Sequence, residues 1–417
     1  MTASTESAAR PPMRPDAAVM GLVGLAHCVS HFSQLLLPPL FPWLKDAFQV
    51  GYTELGFLLT VFFVVSCAVQ ALSGFAVDRF GPRPILFGGI ALLAAAAFGF
   101  ASSTSYAMLA FWAVVAGVGN GVFHPVNYTL LNRKVHISRL GHAFSVHGIT
   151  GSLGWGLAPA MLVPIALAFS WRAALVAAGV LVVLVLLVLW LNRSHLTIAV
   201  TSAVVSPGEK QKTRMQGSDS FAFLTLPAVW VCFFFFFLYA AVISGIQAFA
   251  PEAARLLHDV PAQTAALCLT FYMVASAAGM VLGGFLAANP ARSEKIVATG
   301  FTIAATLALT MAYAPLVPMA VPAIFIVMGM ASGMAGPSRD LLVKRAAPEN
   351  ATGRVYGIVY SGLDIGQACA PLVYGMLMDL RRPADVWLGI AILQGLLVLT
   401  AFNVRRARRT ALQPAAV

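Results

Sequence analysis

Residues 117–125, GVGNGVFHP, return 212 positions later as GMASGMAGP at 329–337. The same shift carries Gly117, Gly121 and Pro125 onto Gly329, Gly333 and Pro337. Beyond the next basic loop it carries Gly141, Gly154 and Pro159 onto Gly353, Gly366 and Pro371, and Arg133 onto Arg345. Glycine and proline are where backbone conformation and close helix approach are fixed. One register holding over two apolar segments and the loop between them therefore repeats a three-dimensional unit. The 417 residues read as two copies of one half.

Apolar residues fill 59% of the chain and charged ones only 10%, under half the charge a soluble surface carries. Uncharged runs such as Ala173–Leu191 and Val297–Ala314 match the length needed to cross ~30 Å of hydrocarbon. Lipid offers no partner to backbone groups, so these runs must be helices. The fold expected is all-α and integral to the membrane, with twelve transmembrane helices in two six-helix pseudo-symmetric halves. Its expected divisions are an N-terminal tail (1–16), a first half (17–192), a linker (193–220), a second half (221–404) and a basic tail (405–417).

A net charge of +11 in a soluble protein would suggest nucleic acid. Its distribution excludes that. With an inside N-terminus, 20 of the 26 Lys and Arg fall in inner segments, leaving Lys45, Arg172, Arg255, Arg381 and Arg382 in outer loops and Arg339 within a span. This asymmetry orients helices in a bilayer and places both termini in the cytoplasm. It suits a bacterial cytoplasmic membrane, with anionic lipid headgroups against the basic inner loops. The polar start, with Arg10 and Arg14, leads into a span without a cleavage pattern, which reads as a retained first helix. Cys28, Cys67, Cys232, Cys268 and Cys369 are scattered singly, with neither metal spacing nor a disulfide framework. No cofactor is expected.

Polar residues inside the spans are the functional candidates. The first span, about 17–43 and closed by Pro38, Pro39 and Pro42, carries His27, His31 and Gln34 on one stripe. Such a stripe must face protein or a wet cavity. It is read as an interhelical brace, as cavity lining for substrate or proton, or as half of a metal site with no third ligand in the sequence. The fourth span, about 107–131, repeats the pattern with Asn120, His124 and Asn127, beside Tyr128. His124 also suits a structural role, donating a hydrogen bond to the carbonyl that Pro125 frees. The fifth span adds His147 and a small-residue face running to Gly154-Trp155-Gly156.

In the second half the candidates are Tyr239, Gln247, Arg339, Tyr360, Asp364 and Gln367. Arg339 either snorkels to the inner headgroups or binds an anion. Asp364 lies eleven residues into its span, roughly 16 Å deep. It is the leading proton carrier unless it only braces its neighbours. Together with His31 and His124 it forms the proton-coupling set.

Between the second and third spans runs Gly74-Phe-Ala-Val-Asp78-Arg79-Phe-Gly81-Pro-Arg83. It resembles motif A of the major facilitator superfamily, G-x3-D-R-x-G-x-R, at every position. The resemblance implies an alternating-access transporter, working as a monomer on a small-molecule substrate, in which Gly74, Asp78, Arg79, Gly81 and Arg83 act as gating residues. The second copy, Gly284-Phe-Leu-Ala-Ala-Asn289-Pro-Ala-Arg292, has lost the acid. Many members carry a proton-linked arginine in the fourth span where this chain has Ala113. The glycine-rich fifth span resembles the exporters' motif C without its Gly-Pro pair. His27–Phe48 and Val122–Pro125 are similar to the fosmidomycin-resistance group, which implies proton-driven export of a small polar or anionic solute. A symporter importing a small carboxylate is the alternative, and a metal-dependent intramembrane enzyme built on His27 and His31 the more distant one.

Overall fold

Backbone groups in hydrocarbon find partners only along their own helix. In the computed structural model, residues 13–198, 225, 227–287, 293–346 and 352–412 are described, with side chains over the same residues apart from 13, 228, 340–346, 352–358, 360 and 401–412. The start of the N-terminal tail, linker residues 199–220, the loop with Asn289 and the side chains of the basic tail lie outside the described residues. The first half holds α1 (Met13–Gln34), α2 (Phe41–Phe48), α3 (Tyr52–Phe80), α4 (Pro82–Ser102), α5 (Tyr106–Asn120), α6 (Phe123–Lys134), α7 (Leu140–Ala168) and α8 (Trp171–Leu191). The second holds α9 (Pro227–Ala248), α10 (Ala250–His258), α11 (Ala262–Leu286), α12 (Ser293–Tyr313), α13 (Ala320–Ala346), α14 (Thr352–Asp379) and α15 (Pro383–Leu412).

Among the described residues eleven spans are long and apolar enough to cross a membrane. Helix α14, the eleventh span in chain order, brings the number to twelve. It is 28 residues long, and Asp364 and Gln367 make it more polar than the others. It is shielded by lying between α3 and α9.

Two expected spans are broken. The first stops at Gln34, passes through a 3-10 turn at Pro38–Leu40 and resumes as α2. Pro42 sits in the opening turn of α2, where a missing N–H leaves no bond unmade. The fourth breaks at Gly121-Val122, with Pro125 in the first turn of α6.

The repeat is visible element by element. Both α2 and α10 end on a left-handed residue, Gln49 (φ 54°) and Asp259 (φ 50°). Helix α1 packs on α7 as α9 packs on α14, α3 on α5 as α11 on α13, and α4 on α8 as α12 on α15. The repeated glycines do the same work twice. A Cβ on Gly117 or Gly121 would press on the carbonyls of Phe62 or Ser66 in α3, and one on Gly329 or Gly333 on those of Tyr272 or Ser276 in α11. Only glycine permits this approach.

The halves meet where α3 lies along α14 and α7 along α11. At one end the seam is tight. Thr60 Oγ1 donates to the Ala368 carbonyl (2.6 Å), Thr270 Oγ1 to that of Gly156 (2.9 Å), and Gly56 backs onto Pro371. Phe41, Phe249 and Tyr374 stack in series there, with ring centroids 5.8 and 6.3 Å apart. Toward the other end, called the wide end below, small positions on α7 and α11 have no described atom against them. Gly284 comes round to the side of Met273, and among the described residues no atom lies within 4 Å of where its Cβ would be; the same holds for Gly148.

Candidate functional site

The polar stripes of α1 and α5 face each other. Gln34 is held at both ends of its amide: its oxygen accepts from Trp155 Nε1 (2.9 Å) and its nitrogen donates to Asn120 Oδ1 (3.2 Å). Asn120 then donates to Ser66 Oγ (2.8 Å). Four helices, α7, α1, α5 and α3, are thus joined through three consecutive bonds, and the direction of each fixes the next.

Beside this relay the structure gathers four histidines that the sequence spreads over 120 residues. The His27 and His147 rings stack at 3.5 Å, His27 and His31 stand 4.1 Å apart, and His124 lies 5.5 Å from His27. His31 also stacks on Trp155 at 4.2 Å. The cluster forms because Gly151 of α7 lies against the His27 and His31 rings and Gly154 against the Cys28 carbonyl, so α1 and α7 can touch. The small-residue face of the fifth span is therefore used inside its own half at these two positions, and toward α11 at Gly156.

His27, His31 and His147 are buried, while His124 is half-buried next to exposed Tyr128. Asn127 Nδ2 lies 3.3 Å from His147 Nε2. The Nδ1 atoms of His27, His31 and His124 are buried with no hydrogen-bond partner among the described residues. Buried polar atoms without a partner are rare in folded proteins, and three of them meet here. Among the described residues no group of three or more His, Cys, Asp or Glu is arranged to hold a metal ion.

The second half reaches the seam through Asp364. Gln70 Nε2 of α3 donates to its Oδ2 at 3.4 Å, and the Cys67 thiol is also within hydrogen-bonding reach. Ser66, Cys67 and Gln70 were missing from the sequence candidates, although Ser66 and Gln70 form the same i, i+4 polar pattern that marked the first and fourth spans. Gln367 is half-buried, with Oε1 unpartnered among the described residues. The Arg339 guanidinium lies over the Tyr239 (4.3 Å) and Phe236 (5.6 Å) rings of α9. The side chains of Asp340 and Tyr360 lie outside the described residues. Gln247 stands apart from the others, in a cavity at the tight end.

At the wide end, Gly81 turns the chain with φ 83°, a conformation that favours glycine. Asp78 and Arg79 are exposed, with Arg79 over the Phe80 ring. Arg83 donates to Thr197 Oγ1 (2.8 Å) in the segment after α8. Gly74 has no described atom within 4 Å of its Cβ position.

Residues 23–371 match the family model described as Major Facilitator Superfamily, with a second match over 233–410. The fosmidomycin resistance protein of Escherichia coli (strain K12) is 24% identical over 288 residues, a stretch that spans 65% of this chain and 65% of that protein. The probable L-galactonate transporter of the same organism is 24% identical over 363 residues, 81% of this chain and 77% of that protein. Among solved structures, a bacterial homologue of the human lysosomal transporter Spinster, inward-facing and unoccupied, superposes with TM-score 0.77 at 14% identity over 97% of this chain and all of that one. A point mutant of the nucleoside transporter NupG superposes with TM-score 0.74 at 15% identity, over 94% of this chain and 99% of that one.

Proposed function

Because this chain belongs to the Major Facilitator Superfamily, we propose that it exports a small polar or anionic solute across a bacterial cytoplasmic membrane by alternating access, driven by protons. One observation carries the reading. Asp364 is the one acid at mid-depth among the described residues, and its partners Gln70 and Cys67 belong to the other half.

An ionised carboxylate holds donors more strongly than a protonated one. A proton arriving on Asp364 weakens a contact between the halves, and its departure restores that contact. This ties proton occupancy to the relative position of the halves, as alternating access requires. The histidines beside the seam are further groups able to hold and release a proton. His31, His124, Tyr128, Trp155 and Arg339 form the solute-facing set, with His124 and Tyr128 at the open edge. With the basic segments inside, the tight end faces out, the wide end faces the cytoplasm, and the conformation is inward-facing. Asp78 and Arg79, exposed here, act as the inner latch in the opposite state.

The similarity to a fosmidomycin resistance protein supports export. The longer match to a probable L-galactonate transporter supports a second reading, import of a small carboxylate with protons. Expression in a sensitive strain separates them, by resistance to a toxic phosphonate or by growth on a supplied sugar acid. The coupling is tested in proteoliposomes with whichever solute is identified. Asp364→Asn should retain binding and lose flux driven by a pH gradient. Full gradient-driven flux in that variant would show Asp364 to be structural.

A further inference from the structure

Asn127 is fully buried on α6, and His147 is 5% exposed on α7. The Asn127 Nδ2 group can only donate, so at 3.3 Å from His147 Nε2 it requires that nitrogen to accept. A neutral His147 in this arrangement carries its hydrogen on Nδ1. At the other end of the same amide, Oδ1 is buried with no partner among the described residues. The oxygen and nitrogen ends of an amide are nearly alike in shape. A half-turn about Cβ–Cγ therefore exchanges them with little change in packing, breaks no described bond on the far side, and offers His147 an acceptor in place of a donor.

The other rings have no such adapter. His27, His31 and His124 each have a buried Nδ1 without a partner among the described residues. A protonated imidazole has two N–H groups to satisfy, and on these three rings one of them would be buried without an acceptor, which is unfavourable. Stacking does not separate the candidates, because His27 and His147 share one stack at 3.5 Å and a cation gains from it on either side. Asn127 breaks that symmetry. The titratable groups around His147 are His27 and His31 on α1 and His124 and Tyr128 on α6, the last 5.4 Å away and 42% exposed. Helix α11 carries no charged residue, α8 only Arg172, which is bound to the Ser103 carbonyl, and α6 only Arg133 and Lys134 in its last turn. The one acid on the elements packed against α7, Asp16 of α1, is paired with Arg139 at 2.7 Å.

We propose that His147 is the ring of the cluster that takes up a proton, and that Asn127 is the positioning residue that follows it, giving Nδ2–H to the neutral ring and Oδ1 to the protonated one. The proton binds at the Nε2 lone pair, which the turning amide vacates. The inference rests on the proton-coupled reading for its consequence, a carrier in the first half beside Asp364 in the second, though not for its test, which needs no transported solute.

Protein labelled with ¹⁵N in its histidines is examined in lipid bilayers by magic-angle-spinning NMR, which separates bare from protonated ring nitrogens. Each ring of the cluster is assigned by its absence in the corresponding His→Gln variant. At about pH 8, His147 should show Nδ1 protonated and Nε2 bare; by about pH 5 it should show both protonated, while His27, His31 and His124 keep one bare nitrogen. Asn127→Leu, similar in size and unable to donate or accept, should lower the ratio of doubly to singly protonated His147 about tenfold, the equivalent of one hydrogen bond to a charged group. Asn127→Asp, which when ionised can only accept, should place a proton on Nε2 at both pH values, and it serves where the leucine impairs folding. Nε2 protonated in wild type at both pH values, a first proton on another ring of the cluster, or a spectrum indifferent to both Asn127 variants would overturn the assignment. Should His147 behave as stated while no gradient-driven flux is found, the assignment stands and the coupled reading falls.

Discussion

Asp379, the last residue of α14, caps the first turn of α3 through Thr53. One carboxylate oxygen accepts the Thr53 N–H (2.8 Å) and hydroxyl (2.6 Å), and the other accepts the Tyr52 N–H (2.7 Å). Gly51 leaves room for this, since a Cβ there would meet the carboxylate at 2.7 Å. An N-cap normally comes from the helix's own chain neighbour. Here it comes from the other half, so the capping energy becomes a closing energy.

Asp379→Ala should therefore open the tight end rather than unfold the helix. Loss of a cap costs about 1 kcal/mol, roughly fivefold in the ratio of closed to open. Hydrogen exchange of the 49–56 segment should speed up by that order in nanodiscs. Unchanged exchange would mean that the contact does not hold the gate.

The relay through Gln34 makes a different prediction. Trp155→Phe leaves the amide oxygen of Gln34 without its donor, and Asn120→Ala leaves the amide nitrogen without its acceptor. Each should lower stability by about 1–2 kcal/mol. Because one amide serves both, the losses should couple by at least ~0.5 kcal/mol in a double-mutant cycle. Strict additivity in thermal unfolding would show the two bonds to be independent.

The two faces of α7 can be told apart with one methyl group. Gly151→Ala places a Cβ 2.9 Å from His27 Nε2 and from the His31 ring. It must shift two packed rings, at about 1–3 kcal/mol. Gly148→Ala meets no described atom within 4 Å. It should be neutral, or stabilising by up to ~1 kcal/mol through helix propensity. Equal thermal shifts for the two would remove the glycine-based account of the α1–α7 contact.

Much of the fold was legible because glycine spacing and apolar length act locally. The polar stripes were legible too: Gln34 and Asn120 stood out as amides that lipid would reject, and they do meet. What they meet was not legible. That Trp155 and Ser66 complete the relay, or that His147 stacks on His27, depends on how α1, α5 and α7 are rotated, which no single span records. Gln247 shows the converse. It belongs to the polar set by composition, yet lies at the tight end, because α9 runs alongside α14 with Phe237 against Gly366 and Gly245 against Tyr374, which puts Gln247 about three turns past the level of Asp364. Asp379 gave no signal, since an acid at a helix end usually faces water. The breaks after Gln34 and at Gly121 were hidden because proline marks where a helix stops more clearly than where the next begins.

The repeat itself can be tested by symmetry. Gly121 and Gly333 correspond across the 212-residue shift, and each lies against a carbonyl, Ser66 in α3 and Ser276 in α11. A side chain at either position has backbone rather than a flexible group in its way, so relief requires the helices to separate. Gly121→Val and Gly333→Val should each destabilise by several kcal/mol, by amounts similar to one another, and should perturb only their own half. Limited proteolysis of the purified variants reads this directly, through new cleavage confined to the mutated half. Tolerance of valine at one position but not the other would mean that the repeated glycines are a remnant of sequence and no longer a shared packing device.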